Sequence, residues 1–169
     1  MYKIPITDVI SLATLYTVRI VAGAVAIGVP MSFWLLLFSM FLFLSLALIK
    51  RYSELKAARH SGENVTLHGR GYASDDLEFV SSLGGSAGFI SVLVLALYIQ
   101  DGRTVHLYAT PQVIWLICPV LLFWISRAWL IAHRGLMDDD PIVFALKDKV
   151  SWGIGVLMVV ALVLARTLS

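Results

Sequence analysis

The chain has 169 residues, of which 59% are hydrophobic and only 14% charged, against about 25% charged in an ordinary soluble domain. With a mean hydropathy of +0.86, this composition excludes a typical soluble globular domain, a disordered chain and a disulfide scaffold. Thirteen Lys and Arg against eleven Asp and Glu leave a net charge of +2, too small an excess to suggest nucleic-acid binding.

The N-terminus, MYKIPITDV, lacks the basic segment, apolar core and small-residue cleavage site of a signal peptide. Five apolar segments follow, at about 7–29, 32–49, 77–99, 111–132 and 150–167. Each is long enough to cross a bilayer as a helix. The runs are continuous rather than alternating, and in lipid a helix satisfies its own backbone groups. The expected fold is therefore all-α, a polytopic transmembrane helix bundle of five spans, forming one transmembrane domain over 1–169. Cys118 is the only cysteine and lies in an apolar run, so no internal disulfide or cysteine zinc site can form.

The connections differ. Residues 28–31 make a tight turn, 50–76 a long polar loop, 100–110 a short one, and 133–149 a polar loop with the acidic run Asp138-Asp139-Asp140. Placing the N-terminus and the two long polar loops on one side puts Lys3, Lys50, Arg51, Lys56, Arg59, Arg70, Arg134, Lys147 and Lys149 there, with only Arg103 and Arg166 opposite. The bias makes those loops cytoplasmic and puts the C-terminus outside.

Ionisable residues within spans are functional candidates by default. In the first span Asp8 and Arg19 share a helical face but stand about 16 Å apart along the axis, so Arg19 needs another partner. A buried ion pair and an anionic ligand are both open. At the end of the second span, Lys50 and Glu54 are four apart and Arg51 and Glu54 three apart, so they share a face. They read either as positive-inside anchoring with a surface salt bridge, or as an anion site in which Lys and Arg hold phosphate oxygens.

The loop beyond adds His60, His68 and Gly69-Arg70-Gly71-Tyr72, which could wrap around a polar headgroup or be a plain interhelical loop. The two histidines lack a zinc-binding HExxH pattern, and no metal ligands are assigned. In the third span Gly84-x-x-x-Gly88 suits close helix packing, or a thin wall beside a lipid chain. Arg127 could snorkel to the interface or serve the site. The acidic run before Pro141 reads as a pre-helical turn or a cation site, and Asp148 either favours the dipole of the last helix or faces a cavity. No nucleophile elbow, Walker loop or dinucleotide motif is present.

Several stretches together resemble the second half of the UbiA-type membrane prenyltransferases, and most closely the branch with decaprenyl-phosphate phosphoribosyltransferases. They are DVISLATLYTVRIVAGAVAIGVPMSFW, FLSLALIKRYSEL, GRGYASDDLEFV, and the ISRAWLIAHRG to ALKDK region. Asp8, Arg19 and Gly23 match a D-x10-R-x3-G pattern. The resemblance implies nine helices around a cytoplasm-facing cavity, of which these would be the last five. It implies transfer of a prenyl or phosphoribosyl group with release of diphosphate, from a diphosphate-containing donor to a lipid, polyprenyl or aromatic acceptor. By the same resemblance Lys50, Arg51 and Glu54 would be catalytic, and Arg19, Arg70, Tyr72, Arg127 and Asp148 would bind substrate. Mg2+ is the implied cofactor, although the Asp-rich motif that holds it falls outside this sequence. A separate N-terminal half or a homo-oligomer is the implied partner. The competing reading is a non-catalytic membrane subunit or transporter fragment.

Overall fold

The computed structural model describes residues 6–28, 32–60, 72, 76–100, 114–137 and 140–167. Among them are six helices, labelled here α1 (Thr7–Ala26), α2 (Phe33–His60), α3 (Leu77–Gln100), α4 (Ile117–His133), α5 (Pro141–Lys147) and α6 (Lys149–Thr167), and no strand. The first three are long and apolar enough to cross a membrane. The fourth expected span is a 17-residue helix. The fifth is α6, which follows α5 across a bend of 83° at Asp148. Three long apolar helices make this an integral membrane protein.

Each boundary has a local cause. The 28 residues of α2 extend about 42 Å at 1.5 Å per residue, well beyond a hydrocarbon layer of about 30 Å. The apolar part ends near Ile49, and the charged turns from Lys50 onward carry the helix out of it. Helix α4 is terminated by Gly135, two residues past its end, whose positive φ of 73° suits a residue without a side chain. Helix α5 begins at Asp140, whose carboxylate accepts the Ile142 amide at 3.0 Å, with Pro141 in the first position. This is the pre-helical turn read from the sequence, since proline is tolerated where its missing N–H has no partner.

Helix α2 packs against α3 and α1, α3 against α4, and α4 against α6, with α5 bridging α2 and α6. Two apolar clusters fill the interior. One gathers Leu48, Ile49, Leu55, Val80 and Ala132, from the end of α2, the start of α3 and the end of α4. The other gathers Ile99, Cys118, Leu121, Ile125 and Ala165, from the opposite ends. The polar ends of the helices therefore meet at the first cluster.

The close approach of α2, α3 and α4 rests on Gly84 and Gly88. A Cβ at Gly84 would press into the Trp129 ring and come within 2.9 Å of Leu48, and one at Gly88 within 2.7 Å of Ile125. Buried Ser45 completes the seam: its hydroxyl donates to the Gly84 carbonyl at 2.7 Å and accepts from the Trp129 indole at 3.1 Å. The small-residue motif is thus a packing face.

Gly84→Val is expected to destabilise the chain by about 1–3 kcal/mol, the usual cost of overpacking. Gly153→Ala, where a Cβ meets open space within α6, should raise the melting midpoint slightly, since alanine is favoured over glycine in a helix by about 0.5–1 kcal/mol. Thermal unfolding in detergent, followed by tryptophan fluorescence, checks both.

Candidate functional site

The start of α1 and the polar turns of α2 lie at the same end of the bundle, and this brings Asp8 to Arg51. The Arg51 side chain is only 4% exposed, between the carboxylates of Asp8 and Glu54, each 29% exposed. Its Nε donates to Asp8 Oδ2 at 2.7 Å and its Nη2 lies 2.5 Å from the same oxygen. Its Nη1 donates to Glu54 Oε2, one helical turn along α2. Arginine suits this place because its planar fork can engage two carboxylates at once.

Tyr72 seals the cluster from the side. It is buried, its hydroxyl donates to Asp8 Oδ1 at 3.2 Å, and it accepts the Ile6 amide at 2.7 Å. Ile6 precedes α1 with a φ of 85°, a strained value for a β-branched residue, so the tyrosine holds the helix start in place. Burial pushes the Tyr72 hydroxyl up to about 12, assisted by the neighbouring Asp8 charge and opposed by the Ile6 hydrogen bond. It acts as a neutral hydrogen-bonding group.

Lys50, one residue before Arg51, points elsewhere. Its Nζ lies 2.7 Å from Asp140 Oδ2, with the two side chains 41% and 29% exposed. Burial opposes ionisation of Asp140. The Lys50 hydrogen bond and the Ile142 amide outweigh that, and hold its carboxyl below the usual carboxylate range. The pair lines a cleft of about 40 Å³ together with Leu12, Tyr16, Phe43, Leu46, Ala47 and Ile142.

A third pair forms at the bend between α5 and α6. Arg127 grips Asp148 with two hydrogen bonds, of 2.6 and 3.0 Å, and lies 5.7 Å from the Phe144 ring. Asp148 also accepts from the Ser151 amide and hydroxyl, both at 2.8 Å, and the Trp124 indole donates to that hydroxyl at 2.9 Å. Asp148 therefore caps α6 and ties it to α4. Arg19 stands apart from all of these, exposed on α1, 5.3 Å from the Tyr16 ring, which stacks on Phe43 of α2 at 5.1 Å.

The structure thus brings Arg51, Glu54 and Tyr72 into one cluster, with Lys50 beside it. Arg127 and Asp148 form their own pair, and Arg19 lies away from both. Arg70, His68, Asp138 and Asp139 fall outside the described residues. Sequence reasoning missed two partners, Asp8 for Arg51 and Asp140 for Lys50. The signal for Asp8 was its place in the first turn of a span whose start is level with the end of the next.

What the arrangement can do chemically is limited by its charge. Asp8, Arg51 and Glu54 sum to one negative charge, and three N–H groups of the guanidinium are taken by carboxylates. Lys50, beside this cluster, is more exposed than Arg51 and is paired with Asp140. Among the described residues no group of three or more His, Cys, Asp or Glu side chains gathers to hold a metal ion. Asp8, Glu54, Asp140 and Asp148 are each turned to a basic group. The described residues therefore do not fit the Mg2+ that the resemblance implies.

No family model matches the chain. It is 38% identical to an uncharacterised protein of Sinorhizobium fredii, over 96% of this chain and 32% of that protein. It is 40% identical to the nodulation protein NoeC of Azorhizobium caulinodans, over 85% of this chain and 46% of NoeC. It is 27% identical to the decaprenyl-phosphate phosphoribosyltransferase of Mycolicibacterium smegmatis, over 86% of this chain and 46% of that enzyme. The chain spans less than half the length of each.

Arg51→Met strands two partly buried carboxylates. It should cost about 3 kcal/mol, the lower end of the range for breaking a buried pair, because both acids keep some water. Adding Asp8→Asn and Glu54→Gln should recover most of that loss in thermal unfolding. The Lys50–Asp140 pair sets a pH dependence. Asp140 is more acidic folded than unfolded, where its pKa is about 3.9, so its contribution is present at neutral pH and lost as pH falls below about 4. Asp140→Asn retains the helix cap and should flatten the melting midpoint between pH 5 and pH 3, measured against the parent chain.

Distant homology over most of its length thus joins this integral membrane protein to decaprenyl-phosphate phosphoribosyltransferase.

Proposed function

We propose that this chain corresponds to the C-terminal half, or a truncated homologue, of a UbiA-type membrane transferase. In that reading it contributes to transferring a prenyl or phosphoribosyl group, with release of diphosphate, to a membrane lipid or polyprenyl acceptor. The observation that carries the proposal is distant homology to a phosphoribosyltransferase over 86% of the chain, joined to a convergence of charged side chains at one end of an apolar bundle. The polar loops face the cytoplasm and the C-terminus lies outside, as the Lys and Arg bias supports.

Each group has a role in this reading. Lys50 exchanges Asp140 for a phosphate oxygen and stabilises charge on the leaving group. Arg51, fixed by Asp8 and Glu54, positions the helix turn that carries Lys50. Tyr72 holds the start of α1 against that turn, and the Arg127–Asp148 pair holds the bend that presents Asp140. Magnesium, where the reaction uses it, belongs to ligands outside the described residues.

One observation favours a non-catalytic membrane subunit instead. Arg51 is enclosed by two carboxylates and Arg127 is gripped by both oxygens of a third, as in a purely structural network.

Transfer assays separate the two. Purified chain, alone and co-expressed with the remaining half of a relative, is given polyprenyl phosphate with phosphoribosyl diphosphate, or a prenyl diphosphate with an aromatic acceptor. The expected result is transfer in the co-expressed sample, reduced roughly 100-fold by Lys50→Met, as when one transition-state donor is removed. No transfer under any of these conditions sinks the enzyme reading.

A further inference from the structure

Arg19 poses a problem that the described residues do not solve. It stands twelve residues past Thr7 and seven before Ala26, about 18 Å and about 10 Å along the helix axis. In a helix that crosses a membrane this is deep within the hydrocarbon, where charged side chains are paired or face a polar cavity. Yet Arg19 is exposed, and among the described residues its contact is the Tyr16 ring, 5.3 Å from the guanidinium carbon. Tyr16 lies one turn toward the N-terminus, so the side chain runs toward the middle of the helix and away from its nearer end. The guanidinium is therefore not snorkelling toward the closer lipid headgroups.

We infer that the Arg19 face of α1 is an interaction surface for a membrane helix that carries one Asp or Glu at mid-bilayer depth. The surface suits such a partner. Ala22 and Gly23, the next turn along from Arg19, are exposed, and a Cβ at Gly23 would meet open space, so a second helix can approach closely. Charge complementarity names what it must bring. A second copy of this chain lacks it. The eleven acidic residues are Asp8, Glu54, Glu63, Asp75, Asp76, Glu78, Asp101, the run 138–140 and Asp148. None falls in the central part of an expected span. The partner is therefore a membrane helix outside residues 1–169. This inference needs only the membrane reading and stands apart from the transferase proposal.

The test reconstitutes the full chain in phosphatidylcholine vesicles with a synthetic Leu–Ala membrane helix carrying Asp, Asn or Leu at its centre. Association is read by energy transfer. The Asp helix is expected to bind about tenfold more tightly than the Leu helix, the range of one interhelical polar contact in lipid. The preference should vanish in Arg19→Leu and in Arg19→Gln, with circular dichroism showing both variants helical. Equal binding of the Asp and Leu helices overturns the inference, as does a preference that survives in both variants. Displacement of the Asp helix by phosphatidylglycerol or by inorganic diphosphate overturns it too, by assigning Arg19 to a lipid or ligand anion. Arg19-dependent self-association of the chain overturns it in favour of a second copy.

Discussion

The buried guanidinium of Arg51 is the interaction on which the polar end of this bundle depends. It joins the start of α1 to the end of α2 through Asp8 and sets the rotation of the α2 turn through Glu54. Tyr72, five residues before α3, donates to the same Asp8. A buried ion pair is weak evidence for net stability, because desolvation offsets much of the Coulomb gain. It is stronger evidence for register. A slip of α2 that brought Lys50 to the Asp8 carboxylate would carry the guanidinium into the place of Tyr52, within the apolar cluster.

The apolar interior and the polar end are arranged by the same rule, that a group away from water must find its partner inside the protein. Ser45 serves both the Gly84 carbonyl and the Trp129 indole. Ser151 and Asp148 serve the first turn of α6 and the Arg127 fork. The 83° bend between α5 and α6 is affordable for the same reason, since Asp148 meets the amides exposed by the break. Helix packing through Gly84 and Gly88 sets how near these groups come, and the polar contacts then fix which of the close arrangements persists.

Much of the helical order was legible in the sequence, because continuous apolar runs bounded by polar stretches leave few alternatives. The helix start at Pro141 was legible for a local reason, since Asp-Pro supplies both the cap and the tolerated first residue. The packing role of Gly84 and Gly88 was visible as spacing. The partners of the charges were not. Sequence spacing relates residues on one helix, so it joined Lys50 and Arg51 to Glu54 and put Asp8 only on the same face as a distant Arg19. The actual pairs, Arg51 with Asp8 and Lys50 with Asp140, cross between helices, and their choice depends on which helix ends lie level. The 83° bend was invisible as well, because Lys147-Asp148-Lys149 contains no proline or glycine to mark it.

The two ion pairs beside one another differ in how easily they can be exchanged. Arg51 is enclosed, and to free it would leave two carboxylates facing each other. Lys50 is the most exposed member of these pairs, and its partner divides its work between two oxygens. Asp140 Oδ2 takes the lysine, while Oδ1 takes the Ile142 amide. Lys50 can therefore leave Asp140 without uncapping α5, and its four-carbon stem reaches toward the cleft bounded by Tyr16 and Phe43. In the proposed function, an anion arriving there would meet a lysine free to turn toward it while Arg51 keeps the helix beneath in register. The adjacent residues 50 and 51 thus separate two tasks that one side chain could not combine, being movable and holding the fold.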